Sequence, residues 1–172
     1  MKARDLERLL AKHGVGAAKL DGTTRRLREV GALPKSGRGP NAPDIGPTEA
    51  ATILIAAAGS TKATDADVRL EKLRDIRASR GSRLGPKLLI NAIADLLSDP
   101  TGLADVDVFR IGRTSSRADL VHIDGTVSEF RARPLKRDRM YVEGVLPAEL
   151  LKIVAGELAA SPSEPRSKVR RQ

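Results

Sequence analysis

The 172-residue chain carries 31 lysines and arginines against 22 aspartates and glutamates, which gives a net charge of +9 and an isoelectric point near 10.3. This excess favours a polyanionic partner, because each basic side chain placed on a phosphate releases condensed counterions. The absence of cysteine excludes disulfides and thiolate chemistry and fits a reducing cytoplasm. The aromatic residues are only Phe109, Phe130 and Tyr141, which excludes the stacking platforms of single-strand-binding proteins.

Nothing in the sequence favours a membrane location. Residues Met1 to Asp5 are charged and lack the apolar core of a signal peptide. The longest apolar run, Ala50 to Ala58, is far shorter than the roughly 18 residues that span a bilayer. We therefore expect a cytoplasmic protein with no membrane partner.

Two helices are predicted at the N-terminus. Ala3 to His13 has leucines at helical spacing and stops at Gly14. Residues 15–20 form a turn or one more helical turn. Asp21 is then the expected N-cap of a second helix, from Gly22 to Val30.

A third helix is predicted from Pro47 through Ala58, after a loop rich in glycine and proline at Lys35 to Pro43. It is apolar on nearly all sides, so we expect it to be buried. Residues 59–62 are expected to form a hinge.

The second half of the chain mixes helices and strands. Thr64 or Asp65 is expected to cap a helix that runs to about Arg80, and Pro86 begins another. Asp124-Gly125 is the strongest hairpin signal in the chain. The predicted strands and last helix are Val106–Ile111, Leu120–Ile123, Thr126–Arg131, Met140–Val145 and Ala148–Ala160.

These elements predict an α+β fold, with a helical N-terminal head followed by mixed helices and an antiparallel β-hairpin region. We expect a helix-turn-helix-like head at 1–60 and an α/β region for oligomerisation or partner binding at 61–160. A basic disordered tail is expected at 161–172. Basic charge is concentrated in the head, because residues 1–46 hold ten basic and five acidic side chains.

The second helix is the predicted DNA reader. Projected at 100° per residue, Thr23, Thr24 and Leu27 lie near one face, and Arg25 points outward. Arg26 and Arg28 lie on the flanks. An apolar underside with outward arginines suits the major groove, where arginine reads base edges, although a solvated amphipathic helix has the same pattern. We expect the three arginines to work at the groove, with Thr23 and Thr24 on the DNA backbone or thymine methyl groups.

A basic loop follows that helix. The sequence SGRGP at Ser36 to Pro40 places Arg38 between two glycines, just after Lys35. Glycine lets backbone N–H groups approach phosphate, and an arginine held this way reaches into a narrow minor groove. A tight surface loop is the alternative. We predict that Lys35 and Arg38 contact DNA.

The stretch from Asp5 to Pro43 resembles the winged or MerR-like helix-turn-helix heads of bacterial and phage regulators. In those heads T-x-R-x-L-R-x-x-G-L-(L/I)-P marks the recognition helix and its exit into the wing. The G-R-G-x-x-A-P continuation is similar to prophage and gene-transfer-agent-type proteins. The link from Gly14 to Leu20 is longer than their usual turn. The matching residues are Thr23, Thr24, Arg26, Leu27, Arg28, Gly31, Leu33 and Pro34.

No residue set indicates an enzyme. The two histidines, His13 and His122, are remote in sequence and no cysteine is present, so a metal site is not expected. Neither a GxxxxGK[ST] phosphate loop nor a GxSxG elbow occurs. We therefore expect a non-enzymatic protein without cofactor or metal.

The favoured hypothesis is a double-stranded-DNA-binding transcriptional regulator of phage or prophage type. We expect a homo-oligomer, with a dimer favoured and a protein partner on the C-terminal half. One alternative is a DNA-packaging or nucleoprotein component, similar to a small terminase subunit. Another is an interaction adaptor whose basic charge serves an acidic partner.

Overall fold

The computed structural model describes residues 1–35, 42–99, 101–132 and 142–161. Three N-terminal helices come first, and four consecutive strands precede the last helix. A short 3-10 helix, Ala63–Asp65, precedes the fourth α-helix. In chain order the elements are α1 (Ala3–Lys12), α2 (Ala17–Glu29), α3 (Pro47–Gly59), α4 (Ala66–Arg74), β1 (Arg77–Ala78), α5 (Leu89–Ser98), β2 (Val106–Gly112), β3 (Arg117–His122), β4 (Val127–Arg131), β5 (Glu143–Pro147) and α6 (Ala148–Ala160).

The strands form one antiparallel sheet in the order β1-β4-β3-β2-β5. The predicted hairpin is confirmed, since β3 pairs with β4 and Gly125 takes a left-handed φ of +80° between them. Phe109 pairs with Leu120 on β3 and with Leu146 on β5. All three are buried, as strand alternation requires for the face that packs on the helices.

Helix α3 lies at the centre of the core. Every residue from Ala50 to Gly59 is buried, which confirms the predicted buried helix. Pro47 occupies the first turn, and the Glu49 side chain accepts a hydrogen bond from the Gly46 N–H (3.0 Å). Helices α4 and α5 and strands β2 and β5 surround α3. Its small residues allow these neighbours to approach its backbone closely.

Three predicted helix boundaries are wrong, and one of them is the start of α5, which lies at Leu89 rather than at Pro86. Helix α2 begins at Ala17 with Gly16 as N-cap, and Asp21 lies inside it, where it pairs with Arg25 one turn later. Helix α4 ends at Arg74 rather than near Arg80. After Arg74 the chain leaves the helix and enters the sheet, because Ala78 pairs with β4 and is buried.

The α+β prediction is confirmed, with helices mainly N-terminal and strands mainly C-terminal. One hydrophobic core contains residues of α1 as well as of α6, so the predicted division at residue 60 falls inside a continuous core. Strand β3 begins at Arg117, three residues earlier than predicted. Residues 133–141 and 162–172 lie outside the described residues, and they include Met140 and all of the predicted tail except Ser161. Among the helices described, none has the length and apolar character needed to cross a bilayer.

Candidate nucleic-acid interface

Helix α2 turns its threonines inward. Thr23 and Thr24 have no exposed surface, and they lie with Leu20 and Leu27 against α1 and α3. The Thr24 hydroxyl donates to a Glu7 carboxylate oxygen on α1 (2.5 Å). The predicted contacts of Thr23 and Thr24 with DNA are therefore wrong for this structure. Their position beside Leu27 on the helix, which the projection already gave, places them in the core.

The two flanking arginines form ion pairs that link α2 to neighbouring helices. Arg26 Nη2 donates to Asp67 Oδ2 on α4 (2.7 Å). Arg28 Nη2 lies 3.8 Å from Glu7 Oε1 on α1, and both side chains of that pair are largely buried. The hydrogen bond from Arg26 lowers the pKa of Asp67 and the same bond raises the pKa of Arg26. These arginines thus have structural partners inside the protein, which the sequence did not reveal.

The Arg26–Asp67 pair gives an expected pH dependence. Because the folded-state pKa of Asp67 lies below its ordinary 3.8, its stabilisation is present above that pH and is lost as pH falls through the folded value. We expect Asp67→Asn to lower the melting temperature by about 2 °C at neutral pH. The difference should shrink as pH falls below 3.8 and vanish below the folded-state pKa of Asp67. The effect is small because Asp67 Oδ1 and Arg26 Nε have no partner among the described residues. Calorimetry across pH measures it.

Glu71→Gln is the matched control for Asp67→Asn, since Glu71 is exposed on the same helix and has no ion pair within the described residues. Its melting temperature should follow the wild type at every pH. A constant difference between Asp67→Asn and wild type down to pH 3 would contradict the assigned role of the carboxylate.

The solvent side of α2 is not basic. Arg25 is exposed and pairs with Asp21 (2.9 Å), and Glu29 is exposed near the end of the same helix. One cation with two carboxylates is a poor surface for a phosphate backbone. Lys35 is exposed, as a DNA contact requires, and Arg38 lies outside the described residues.

Helix α1 carries the basic stripe that the sequence analysis missed. Arg4, Arg8 and Lys12 are exposed and four residues apart, so they lie along one side of the helix. Leu6 and Leu10 are fully buried on the other side. Arg8 has one carboxylate nearby, Asp5 at 3.6 Å, with both side chains more than half exposed. Projecting α1 as α2 was projected would have found the stripe.

The predicted loop ends close to the start of α1. Its last residues are held at the start of that helix, because Lys2 Nζ donates to the Ala42 carbonyl (2.5 Å) and lies 3.2 Å from Asp44. The Ile45 N–H donates to the Met1 carbonyl (2.8 Å). The segment that leaves at Lys35 therefore returns beside the N-terminal end of the α1 stripe.

Within the described residues, no group of three or more histidine, cysteine or carboxylate side chains is placed to hold a metal ion. His13 is exposed at the end of α1, and His122 is buried with its Nε2 2.9 Å from Ser128 Oγ. Comparison with family models, with curated proteins and with solved structures finds no match to this chain.

Proposed function

We propose that this protein binds double-stranded DNA through α1, with the segment after Lys35 as a second contact. The observation that carries the proposal is the exposed stripe of Arg4, Arg8 and Lys12 on one side of α1. The net charge of +9 supports a polyanionic partner for the whole chain. The groove-reading role first given to α2 has less support, because Arg26 and Arg28 already bind carboxylates of the protein.

The stripe has the dimensions of a backbone contact. At a rise of about 1.5 Å per residue, Arg4 and Lys12 are separated by about 12 Å along the helix. Phosphates of one DNA strand follow each other at about 3.4 Å along the duplex axis, so the stripe spans about three of them. Long basic side chains on phosphates supply affinity and register but carry no base preference. Sequence preference, which a transcriptional regulator needs, is therefore assigned to the segment that contains Arg38.

The test is a DNA-binding titration across salt concentrations. We expect a variant with Arg4→Gln, Arg8→Gln and Lys12→Gln to lower the log–log salt slope by about 2.7, because each phosphate contact contributes about 0.9. At about 0.1 M salt this weakens binding by roughly 500-fold. The matched control replaces three exposed cations elsewhere, with Lys62→Gln, Lys72→Gln and Arg74→Gln. It removes the same charge and should change the slope much less.

Two results would overturn the assignment to α1. If the control loses as much affinity as the α1 variant, net charge rather than a local surface explains the binding. If Arg25→Gln alone weakens binding more than the α1 variant does, the outer side of α2 is the reader. If the wild-type protein does not bind DNA at moderate salt, the proposed function itself is contradicted.

We expect the DNA-bound form to be a dimer. The sheet face opposite the helices carries Val127 and Val145, which are 46% and 56% exposed. Arg110 pairs with Val145 across the strands, and Glu129 follows Val127 on the same face. A surface with valines and charges of both signs can be self-complementary about a two-fold axis. Sedimentation equilibrium of the complex measures this, because a dimer leaves no complex with a single chain even when the duplex is in excess.

A further inference from the structure

A cavity of about 340 Å³ lies at the end of α3, and none of Arg4, Arg8 and Lys12 lines it. The turn between α1 and α2 forms one wall, and strand β5 with the start of α6 forms another. The lining residues that bear on its chemistry are His13, Lys19, Thr61, Arg113, Leu146 and Leu150. A volume at the lower end of the range for ligand pockets suits a small molecule.

Two cations share this cavity. Lys19 Nζ donates to the carbonyls of Ala57 (2.7 Å) and Ser60 (2.6 Å), and Arg113 Nε donates to the Ala58 carbonyl (3.1 Å). Burial lowers the pKa of Lys19, and the nearby charge of Arg113 lowers it further. Like charges are thus brought together in a partly desolvated space, which is unfavourable without an anion.

Capping of α3 explains only part of this arrangement. The last carbonyls of a helix carry a partial negative charge, and Lys19 and Arg113 neutralise it. Each cation nevertheless keeps donors beyond those bonds, because an ammonium has three and a guanidinium has five. No aspartate or glutamate lines the cavity within the described residues. The positive charge of the two side chains therefore exceeds what the helix end balances.

The start of α2 adds to the positive potential. This 13-residue helix begins at Ala17, and its N-cap residue Gly16 gives no side-chain cap to the N–H groups of the first turn. Gly16 and Lys19 both line the cavity. Backbone N–H groups at a helix start favour an anion, and here two half-buried cations face the same space. Leu146 and Leu150, which are buried, supply an apolar wall.

We propose that this cavity binds a small phosphorylated molecule, with its phosphate group between Lys19 and Arg113 and its apolar part against Leu146 and Leu150. The inference goes beyond DNA binding, because Arg4, Arg8 and Lys12 do not line the cavity. The oxygens of a phosphate dianion accept hydrogen bonds from the remaining N–H donors of both cations, and its negative charge offsets their mutual repulsion. Arginine and lysine side chains are suited to this group, the first by its fork of donors and the second as a point charge.

The test titrates the full-length protein with inorganic phosphate and with phenyl phosphate. Two-dimensional NMR of the backbone amides measures the binding. We expect saturable shifts of Gly16, Lys19, Thr61 and Gly144, with tighter binding of phenyl phosphate because its ring meets the apolar wall. Arg113→Gln should weaken binding about tenfold or more. Arg110→Gln removes the same charge from an exposed position on β2 and should leave binding unchanged.

The outcomes separate this site from the DNA surface. The triple α1 variant should bind phenyl phosphate like wild type, and Arg113→Gln should retain DNA affinity. Failure to shift the cavity amides with either probe at tens of millimolar would overturn the proposal, whatever the DNA titration shows. Binding only of a 5′-phosphorylated oligonucleotide, and of neither small probe, would also overturn it. If Arg113→Gln is unfolded, Lys19→Gln gives the same comparison.

Discussion

Gly144→Ala is expected to destabilise the protein by about 3 kcal/mol, because an added methyl group has no room against α3. A Cβ atom at Gly144 would lie 2.2 Å from the Ala58 carbonyl oxygen and 2.9 Å from its carbon. Both are backbone atoms of a helix whose residues are buried from Ala50 to Gly59, so they cannot rotate away as a side chain does. Strand β5 or the end of α3 must move, which disturbs the pairing of Gly144 with Ile111.

The matched control is Gly156→Ala, the same substitution in the exposed interior of α6. A Cβ there meets nothing within 4 Å, and alanine is the better helix former, so stability should rise by about 0.5–1 kcal/mol. Urea unfolding of both variants measures the free energies. Equal effects of the two substitutions would show that the close approach of β5 to α3 is not as described.

Much of the fold was predictable because its elements carry strong local signals. The leucine spacing of α1, the all-round apolar α3 and the Asp124-Gly125 turn each depend on neighbours within a few residues. The start of α2 was not predictable in this way. Asp21 is a good N-cap by type, but in the structure it serves as a helical partner of Arg25, and glycine caps the helix instead.

The candidate site was predicted less well, because its errors depend on contacts distant in sequence. Arg26 finds Asp67, which lies 41 residues later, and no local pattern indicates that pair. The burial of Thr23 and Thr24, in contrast, was predictable from the local sequence, because the helical projection places both beside the apolar Leu27. Helix α2 packs on more than one neighbour, which widens its buried face beyond a narrow apolar stripe. The carboxylate partners of Arg26 and Arg28 therefore make α2 less suited to reading DNA than its sequence indicates.

Arg69→Met is expected to cost about 3 kcal/mol, through the loss of a guanidinium that joins α3 to the β2–β3 loop. Its Nη2 donates to the carbonyls of Gly112 (2.6 Å) and Ser115 (2.8 Å), and its Nε donates to that of Gly59 (3.3 Å). Methionine preserves the aliphatic stem but leaves these carbonyls without their donor. Burial lowers the pKa of Arg69, so the side chain bears a desolvation cost that its three bonds must offset.

Lys72→Met provides the comparison that decides this role for Arg69. Lys72 is exposed on the same helix, so the same loss of charge should change the free energy of unfolding by no more than about 0.5 kcal/mol. Arg69→Lys should recover only part of the loss, because one ammonium cannot reproduce the geometry of a guanidinium that bridges two separate segments. If urea unfolding gives Arg69→Met and Lys72→Met the same free energy of unfolding, water satisfies the three carbonyls as well as Arg69 does. The link between α3 and the loop that carries Arg113 would then need another explanation.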